Sequence, residues 1–461
     1  MKNYDVIIIG AGPAGIFCAL QLMDSGKDIL LLEKGRGLDK RFCPAKSEIG
    51  RCVQCDNCSI VCGWGGAGAF SDGKLTLSGE VGGKLSQYLG SDRLGREIKE
   101  VDQMYLGFGA PERVYGPDQE KSEELQKKAL MAEMKFVTAN LRHLGTGYSR
   151  VVLQNMYDVL QEKGVEIRTS TRIDKIEVEK GKVRAVITGE GEELRAEYVM
   201  VAPGRENAQW FEEEANRLNL KLSVNPVDIG IRVEVPAVVS DDITRDIYEP
   251  KLLYYSQTFD DRVRTFCMCP NGEVVQENNQ GLITVNGHSH AEYKTNNTNF
   301  ALLVSKTFTE PFREPIKYGR YIARLANLLG GGVLVQRLGD LLSGRRSTEE
   351  RILRGQLEPT LKDATPGDLS LVLPYRHLTS LIEMLKALDK MAPGIYSRNT
   401  LLYGVEVKFY SSCIETTKEL ETKVENLFAG GDGAGITRGL MQASVSGWVI
   451  GKNIKKRMQQ S

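Results

Sequence analysis

Tyr4-Asp-Val-Ile-Ile-Ile-Gly10-Ala-Gly12-Pro-Ala14-Gly15-Ile-Phe-Cys18 lies at the start of the sequence, and its reading decides the fold. Tyr4 to Ile9 is a short, mostly apolar run rich in β-branched residues, the pattern of a parallel strand buried on both faces. Gly10, Gly12 and Gly15 then fall in the G-x-G-x-x-G spacing. The first allows a tight turn, the second a close approach of pyrophosphate to the backbone, and the third close packing of helix on strand. Ala14 to Ser25 reads as the helix whose N-terminus would hold the phosphate charge. Asp28 to Leu32 reads as a second strand, and Glu33 follows 18 residues past Gly15, where an acid can accept hydrogen bonds from a ribose. A glycine string alone is weak evidence. The strand before it, the helix after it and the acid at that distance make it a dinucleotide-binding βαβ unit rather than a glycine-rich turn of no chemical meaning.

Outward from this unit, Val6 to Met23 carries no charge. Its length alone would suit a membrane span or a signal core. The glycines and Pro13 argue instead for a strand turning into a helix, so no membrane association is expected and the cytoplasm is the expected location. A chain of 461 residues exceeds what one hydrophobic core usually supports, which predicts two large domains. Lys and Arg together number 60, as do Asp and Glu, so the net charge is zero. Proteins that live on nucleic acid usually carry a basic surplus, and no nucleic-acid partner is expected. A small-molecule substrate is the expected partner, and a homo-oligomer is compatible with the composition.

From Arg41 to Gly83 the chain is rich in Gly and Cys and has little periodicity, a loop long enough to need a functional reason. Residues 92–145 read as helical and charged, and 150–163 as an amphipathic helix. Val165 to Thr169, Arg172 to Glu179, Val183 to Thr188 and Tyr198 to Val201 read as strands. Past Asn225, strand-like stretches (Asp228 to Val235, Leu282 to Val285) precede a helical region from about 316 to 390, and Thr400 to Tyr410 reads as a strand. The expected class is α/β: a Rossmann-like domain, a parallel sheet with a β-meander, interrupted by an inserted α+β substrate domain. The expected boundaries are 1–220 for the first part of the dinucleotide domain (with the Cys/Gly-rich loop at 41–83), 221–395 for the insertion and 396–461 for the return.

Two later segments select the dinucleotide. Tyr198-Val-Met-Val-Ala202-Pro-Gly204 is a strand ending in small residues, and Asn426-Leu-Phe-Ala-Gly-Gly431-Asp432-Gly-Ala-Gly435 is a strand ending in an acid and glycines. They resemble the supporting motifs of glutathione-reductase-type flavoproteins, which implies FAD. By that resemblance Asp432 would bond the ribitol and Gly433 would face the pyrophosphate. The helix near Gly439, Leu440 and Met441 would aim its N-terminus at the flavin N1/O2 edge, where positive potential favours the charge that reduction places there. Val165 is a candidate backbone contact to adenine. Ala14, Lys34, Arg41, Ala202, Gly204 and Gly431 complete the candidate cofactor contacts outside the glycine loop. A plain turn aspartate is the alternative for Asp432. No second G-x-G-x-x-G follows a strand, so a built-in NAD(P)H domain is not expected, and NAD(P)H would act only as an external reductant.

Cys52, Cys55, Cys58 and Cys62 have the spacing of a bacterial ferredoxin run, although Gly63 stands where ferredoxins usually place Pro. They are candidate ligands of a 4Fe–4S cluster fed by a ferredoxin-like donor. Redox-active thiols, zinc, or merely buried small residues are the alternatives. Cys267 and Cys269 are two apart on an expected strand and would share a face, with buried small residues as the plainer reading.

The run Cys62-Gly-Trp-Gly-Gly-Ala-Gly-Ala-Phe-Ser-Asp-Gly-Lys-Leu-Thr76, with Asn225-Pro-Val-Asp-Ile-Gly230, Gly344-Arg-Arg-Ser-Thr348 and Gly431-Asp-Gly-Ala-Gly-Ile-Thr-Arg438, resembles a group described as uncharacterised FAD-dependent dehydrogenases. The resemblance covers nearly the whole chain and is more distant to the BaiN-type flavoproteins. It implies FAD and a redox reaction and brings no substrate. In the glycine loop, Gly65, Gly66, Ala67 and Gly68 would let backbone lie flat on the isoalloxazine, with Ser71, Asp72 and Lys74 reaching its edge. For substrate chemistry the candidates are His143, His288 with its neighbour His290, Arg345 as a carboxylate clamp, and Lys408 on a strand whose alternate residues could line the flavin pocket. Structural histidines and a surface ion pair are the plainer readings. The expected activity is hydride transfer to or from a small unsaturated or carboxylated molecule. An electron-transfer component for a protein partner and a tRNA-modifying flavoprotein are the alternatives, the last disfavoured by the neutral charge.

Overall fold

The computed structural model describes residues 2–460 except 45–54, 56, 72, 117, 138, 245, 246, 248, 249, 280, 290–293, 309–311, 313 and 411. The chain forms two compact units. One comprises Met1–Val114, Asn140–Asn225 and Tyr410–Ser461, and the other Tyr115–Ala139 and Pro226–Phe409. The fold is α/β, with a Rossmann-type first unit.

Among the described residues, the first unit is built on a seven-stranded sheet. Strand Asn3–Ile9 lies parallel between Ile29–Leu32 and Glu193–Val201, and Glu166–Arg168 extends the parallel side. Val6 to Leu32 alternates strand, helix, strand because each apolar run is too short to bury itself alone. Ile7 and Ile8 are fully enclosed, each worth about 2 kcal/mol in transfer from water. Strand Glu193–Val201 divides its two ends between neighbours. Glu193 to Arg195 pair antiparallel with Lys182–Thr188, and Val199 to Val201 pair parallel with Leu427–Ala429. Ile173–Glu179 completes the meander. The register aligns the carboxyl ends of four segments, since Ile9 sits opposite both Leu32 and Val201, and Val201 opposite Ala429.

Helix Pro13–Leu22 starts with proline at its first turn, where the missing N–H costs nothing. It packs along Leu440–Met458 through small residues. A Cβ on Gly447 would stand 1.8 Å from the Ala14 carbonyl oxygen, so only glycine permits this approach. The uncharged stretch Val6 to Met23 is thus a strand followed by a helix. No helix of the described residues is long and apolar enough to cross a membrane.

The second unit is α+β. Among its described residues, strands 365–366, 334–337, 401–408, 227–236, 297–306, 262–269, 251–255 and 134–137 form an eight-stranded, largely antiparallel sheet in that order. Helices Gln119–Met131, Pro315–Gly330 and Tyr375–Met391 accompany it, and a hairpin joins Glu273–Asn279 to Leu282–His288. Two expectations of continuous helix are corrected. Within 92–145, Met134–Val137 and Leu141–His143 are strands, the first paired with Lys251–Tyr255. Within 316–390, Leu334–Arg337 is a strand beside Leu401–Lys408. All three are runs of three or four residues whose partner strands are remote in sequence, so local periodicity carries no trace of them.

Candidate functional site

The carboxyl edge of the first unit's sheet gathers the glycine motifs. Gly10 takes a left-handed φ of 101°, and a Cβ there would lie 2.2 Å from the Ala202 carbonyl oxygen. The Gly10 N–H donates to the Leu32 carbonyl and the Ala202 N–H to the Ile9 carbonyl, tying three strand ends together. A Cβ on Gly15 would stand 1.8 Å from the Gly10 carbonyl oxygen, which explains glycine on the first helical turn. Gly12 differs. Its φ of −78° suits any residue, and a Cβ there would meet nothing within 4 Å.

Glu33, at the end of the second strand, is buried, and its carboxylate is already engaged. Oε2 accepts from the Ala11 N–H at 2.9 Å, and Oε1 from the N–H groups of Gly35 and Gly63 at 2.8 and 3.0 Å. It knits the phosphate turn to the glycine loop. A carboxylate has about four acceptor directions, so Oε2 keeps room for one further donor. Lys34 donates to Asn207 at 2.6 Å.

The glycine loop rests on this edge. The Gly65 N–H donates to the Ala11 carbonyl at 2.8 Å, a Cβ on Gly66 would lie 3.2 Å from Gly12 Cα, and one on Gly68 would lie 2.7 Å from Leu440 Cδ2. Ser71 Oγ donates to the Gly68 carbonyl. Asp72 lies outside the described residues. Arg41 is almost fully buried and turns onto its own loop, donating to the carbonyls of Ser59, Ile60 and Trp64 and stacking on Phe70 at 4.9 Å. Burial pulls its guanidinium down to about 10. Its donors therefore shape the loop.

The C-terminal motif meets the same edge. Gly431, with a φ of 76°, places its N–H on Ser446 Oγ at 3.0 Å. A Cβ on Gly433 would stand 2.3 Å from the Gly204 carbonyl oxygen, so the Ala202–Gly204 turn and the Asp432 segment are packed together. Asp432 accepts from Thr437 Oγ1 at 2.8 Å and from the Gly439 N–H at 3.3 Å, and burial pushes its carboxyl above the usual value. Segment 79–84 is strapped over this turn by Gln442 donating to the Val81 carbonyl and by the Lys84 N–H donating to the Ile436 carbonyl. Val165 is buried just before strand Glu166–Arg168.

These residues fit a dinucleotide. Gly12, Gly204 and Gly439 face open space. The helices beginning at Pro13 and Leu440 have no side-chain cap, which leaves their first N–H groups for an anion.

The cysteine run behaves differently. Cys52 lies outside the described residues. Cys62 is one helical turn from Cys58, its N–H donating to the Cys58 carbonyl at 2.9 Å. Cys62 is buried and its thiol is pushed up to about 11, chiefly by that burial, whereas Cys55 is exposed. Among the described residues, no three His, Cys, Asp or Glu side chains are placed to hold one metal ion.

His143 lies on strand Leu141–His143 of the first unit, opposite Lys74. The other three catalytic candidates lie in the second unit, and two of them flank a buried polar cluster that the sequence did not reveal. Arg232, fully enclosed, donates to Asn299 Oδ1 at 2.8 Å and to the Cys267 carbonyl at 2.5 Å, and faces Glu406 at 3.3 Å. Lys408 sits 3.0 Å from Glu406 and 3.8 Å from Glu277. Burial alone would lower Lys408, but Glu406 and then Glu277 hold it above its usual value, so it stays charged at neutral pH. His288 closes the hairpin strand opposite Glu273, and its neighbour Gly287 lies flat on Arg232, where a Cβ would stand 1.9 Å from a guanidinium nitrogen. His290 lies outside the described residues. Arg345 is elsewhere. Its half-exposed guanidinium pairs with Asp340 at 2.9 Å, beside the opposite end of strand Leu401–Lys408. That separates it from Lys408 and pairs it with a buried carboxylate. One signal for the cluster was available: alternate positions Asp228, Gly230, Arg232 and Glu234 share a strand face.

Three family models match the chain. "FAD binding domain" matches residues 5–42, "Pyridine nucleotide-disulphide oxidoreductase" residues 124–239, and "FAD-dependent protein, C-terminal domain-like" residues 226–409. An uncharacterised protein of Clostridium beijerinckii is 28% identical over 474 residues, covering 97% of this chain and 80% of that protein. Among solved structures, a 3-ketosteroid-delta4-(5alpha)-dehydrogenase from Rhodococcus jostii RHA1 aligns with 98% of this chain and 97% of its own, at a TM-score of 0.46 and 15% identity. A glycine oxidase from Geobacillus kaustophilus covers 99% and 95% at a TM-score of 0.40 and 12% identity. At those scores the structural likenesses carry no argument about substrate.

Proposed function

We propose that the chain, an FAD-dependent oxidoreductase, acts by hydride transfer on a small unsaturated or carboxylated molecule. FAD supplies the two-electron chemistry when bound. The observation that carries the reading is the convergence of Gly12, Gly66, Gly204, Gly431 and Gly439 on one sheet edge. Open space lies beside Gly12, Gly204 and Gly439, and two uncapped helix N-termini flank the edge. In this proposal Gly12 admits the pyrophosphate, Oε2 of Glu33 takes one ribose hydroxyl, and Asp432 orders the turn that presents the last helix. Lys408 and His288, at the buried polar cluster, are the proposed substrate-side groups, the lysine as a permanent cation and the histidine as a proton donor near neutral pH. The reductant is external, NAD(P)H or a ferredoxin-like protein. Within the FAD-dependent oxidoreductases, the finer placement is the group of uncharacterised dehydrogenases whose motifs the glycine loop shares, with the BaiN-type proteins more distant.

An anaerobic screen tests this. The reduced holoenzyme is mixed with a panel of enoates, keto acids and imino acids, the oxidised holoenzyme with saturated acids, hydroxy acids and amino acids, and flavin absorbance is followed. At least one class is expected to change the flavin's oxidation state and raise the melting temperature. A panel that moves neither overturns the proposal.

A further inference from the structure

The buried cluster of the second unit holds a pair of thiols that hydride transfer does not use. Cys267 and Cys269 bracket a register shift in strand Arg262–Cys269, where the ladder to Asn297–Lys306 slips between Phe266 and Cys269. Cys267 carries a φ of 45°, a left-handed backbone that a non-glycine residue rarely adopts and that tends to occur at functional sites. The bulge brings the two sulfurs to 3.9 Å. Their exposures differ, Cys267 being half-buried and Cys269 enclosed. Arg232 braces the bulge by donating to the Cys267 carbonyl and lies 3.4 Å from Cys269 Sγ. Glu406 and Glu277 balance the charges of Arg232 and Lys408, so the direct guanidinium contact favours the Cys269 thiolate more than any net charge does.

We infer that Cys267 and Cys269 form a dithiol that exchanges with disulfides. The partner oxidant is a small or peptide disulfide. The accessible Cys267 thiolate attacks one sulfur of that disulfide and forms a mixed disulfide, expelling the first thiolate, which takes up a proton. The Cys269 thiolate then attacks Cys267 Sγ, forms the internal disulfide and expels the second thiolate. Two electrons and two protons pass from the protein dithiol to the external disulfide, which leaves as two thiols. The sulfurs need to close from 3.9 Å to bonding distance, about 2 Å, a rotamer adjustment at a site already bulged.

The test uses the FAD-loaded full chain, reduced and freed of reductant without oxygen, then exposed to oxidised glutathione, alkylated and digested with trypsin. The peptide Thr265–Lys294 contains these two cysteines and no other. It is expected two hydrogens lighter and unalkylated. Cys269→Ser is expected to trap glutathione on Cys267 to near stoichiometry, and Cys267→Ser to give neither product. Recovery of the wild-type peptide with both cysteines alkylated overturns the inference, as does a bond from either cysteine to one elsewhere in the chain. The wild-type peptide decides even if a variant fails to fold, and the outcome is independent of whether the flavin reading holds.

Discussion

The two units place charge in opposite ways. The edge that suits FAD in the first unit is made of backbone: glycines, strand ends and helix N-termini, with Glu33 and Asp432 spent mostly on backbone N–H groups and a threonine. The cluster of the second unit is made of ionised side chains, Arg232, Glu406, Lys408 and Glu277, drawn from three strands and paired with one another. The first arrangement needs small residues at fixed spacing and little else. The second needs every charge to keep its partner, because an unpaired buried charge costs far more than the pair contributes. Perturbation should therefore act on ligand affinity in one region and on folding in the other.

The sharpest contrast is expected at Arg232. Arg232→Met leaves the enclosed Glu406 with Lys408 as its remaining ionic partner, strips Asn299 Oδ1 and the Cys267 carbonyl of their donor, and should destabilise the protein by about 4 kcal/mol. Arg232→Met combined with Glu406→Leu should recover most of that loss in denaturant unfolding. A double variant as unstable as the single would break the account of the cluster. An acid-side effect of somewhat smaller size is expected at His377, which burial and then the nearby charge of Lys306 hold down to about 4, with Asp261 and Arg376 also close. Its folded value lies below its unfolded one. It therefore contributes stability that is whole above pH 6.5 and is lost as pH falls towards 4, about 3 kcal/mol over the full range. His377→Phe should flatten that part of the stability–pH curve, and an unchanged slope would contradict the assignment.

In the first unit, Glu33→Gln should cost about 2 kcal/mol, since an amide can satisfy only part of a site that receives three backbone N–H groups. It should loosen the glycine loop in hydrogen exchange before it alters the second unit's hairpin. The smallest effect belongs to Arg345→Ala, about 1 kcal/mol, because its guanidinium is half-exposed and the enclosed Asp340 keeps its hydrogen bond from Ser347. A large loss of activity there would return Arg345 to the candidate substrate site.

The same contrast explains what the sequence revealed. Gly10, Gly12, Gly15 and Glu33 lie within one βαβ unit, so their spacing records their geometry, and the Asp432 turn repeats the strand-then-glycine signature. Arg232 and Glu406 are 174 residues apart and meet only because their strands pair. Arg232 stands alternately with Asp228 and Glu234, a pattern that reads as an exposed face until the hairpin 273–288 is seen to cover it. Arg41 is a related case, since its carbonyl partners at 59, 60 and 64 belong to a loop without periodicity. The cysteine run matched a ferredoxin spacing, but spacing does not record that Cys62 is buried while Cys55 is exposed.

The most direct test is Gly12→Val. The backbone at Gly12 suits any residue and a Cβ there meets nothing within 4 Å, so the fold should accept the side chain while the space proposed for pyrophosphate is filled. The variant, stripped of flavin alongside the parent protein, should unfold at the same temperature as the parent. It should bind added FAD about a hundredfold more weakly, a loss of about 3 kcal/mol. Retention of FAD at full stoichiometry and unchanged affinity in a folded Gly12→Val protein would contradict the account.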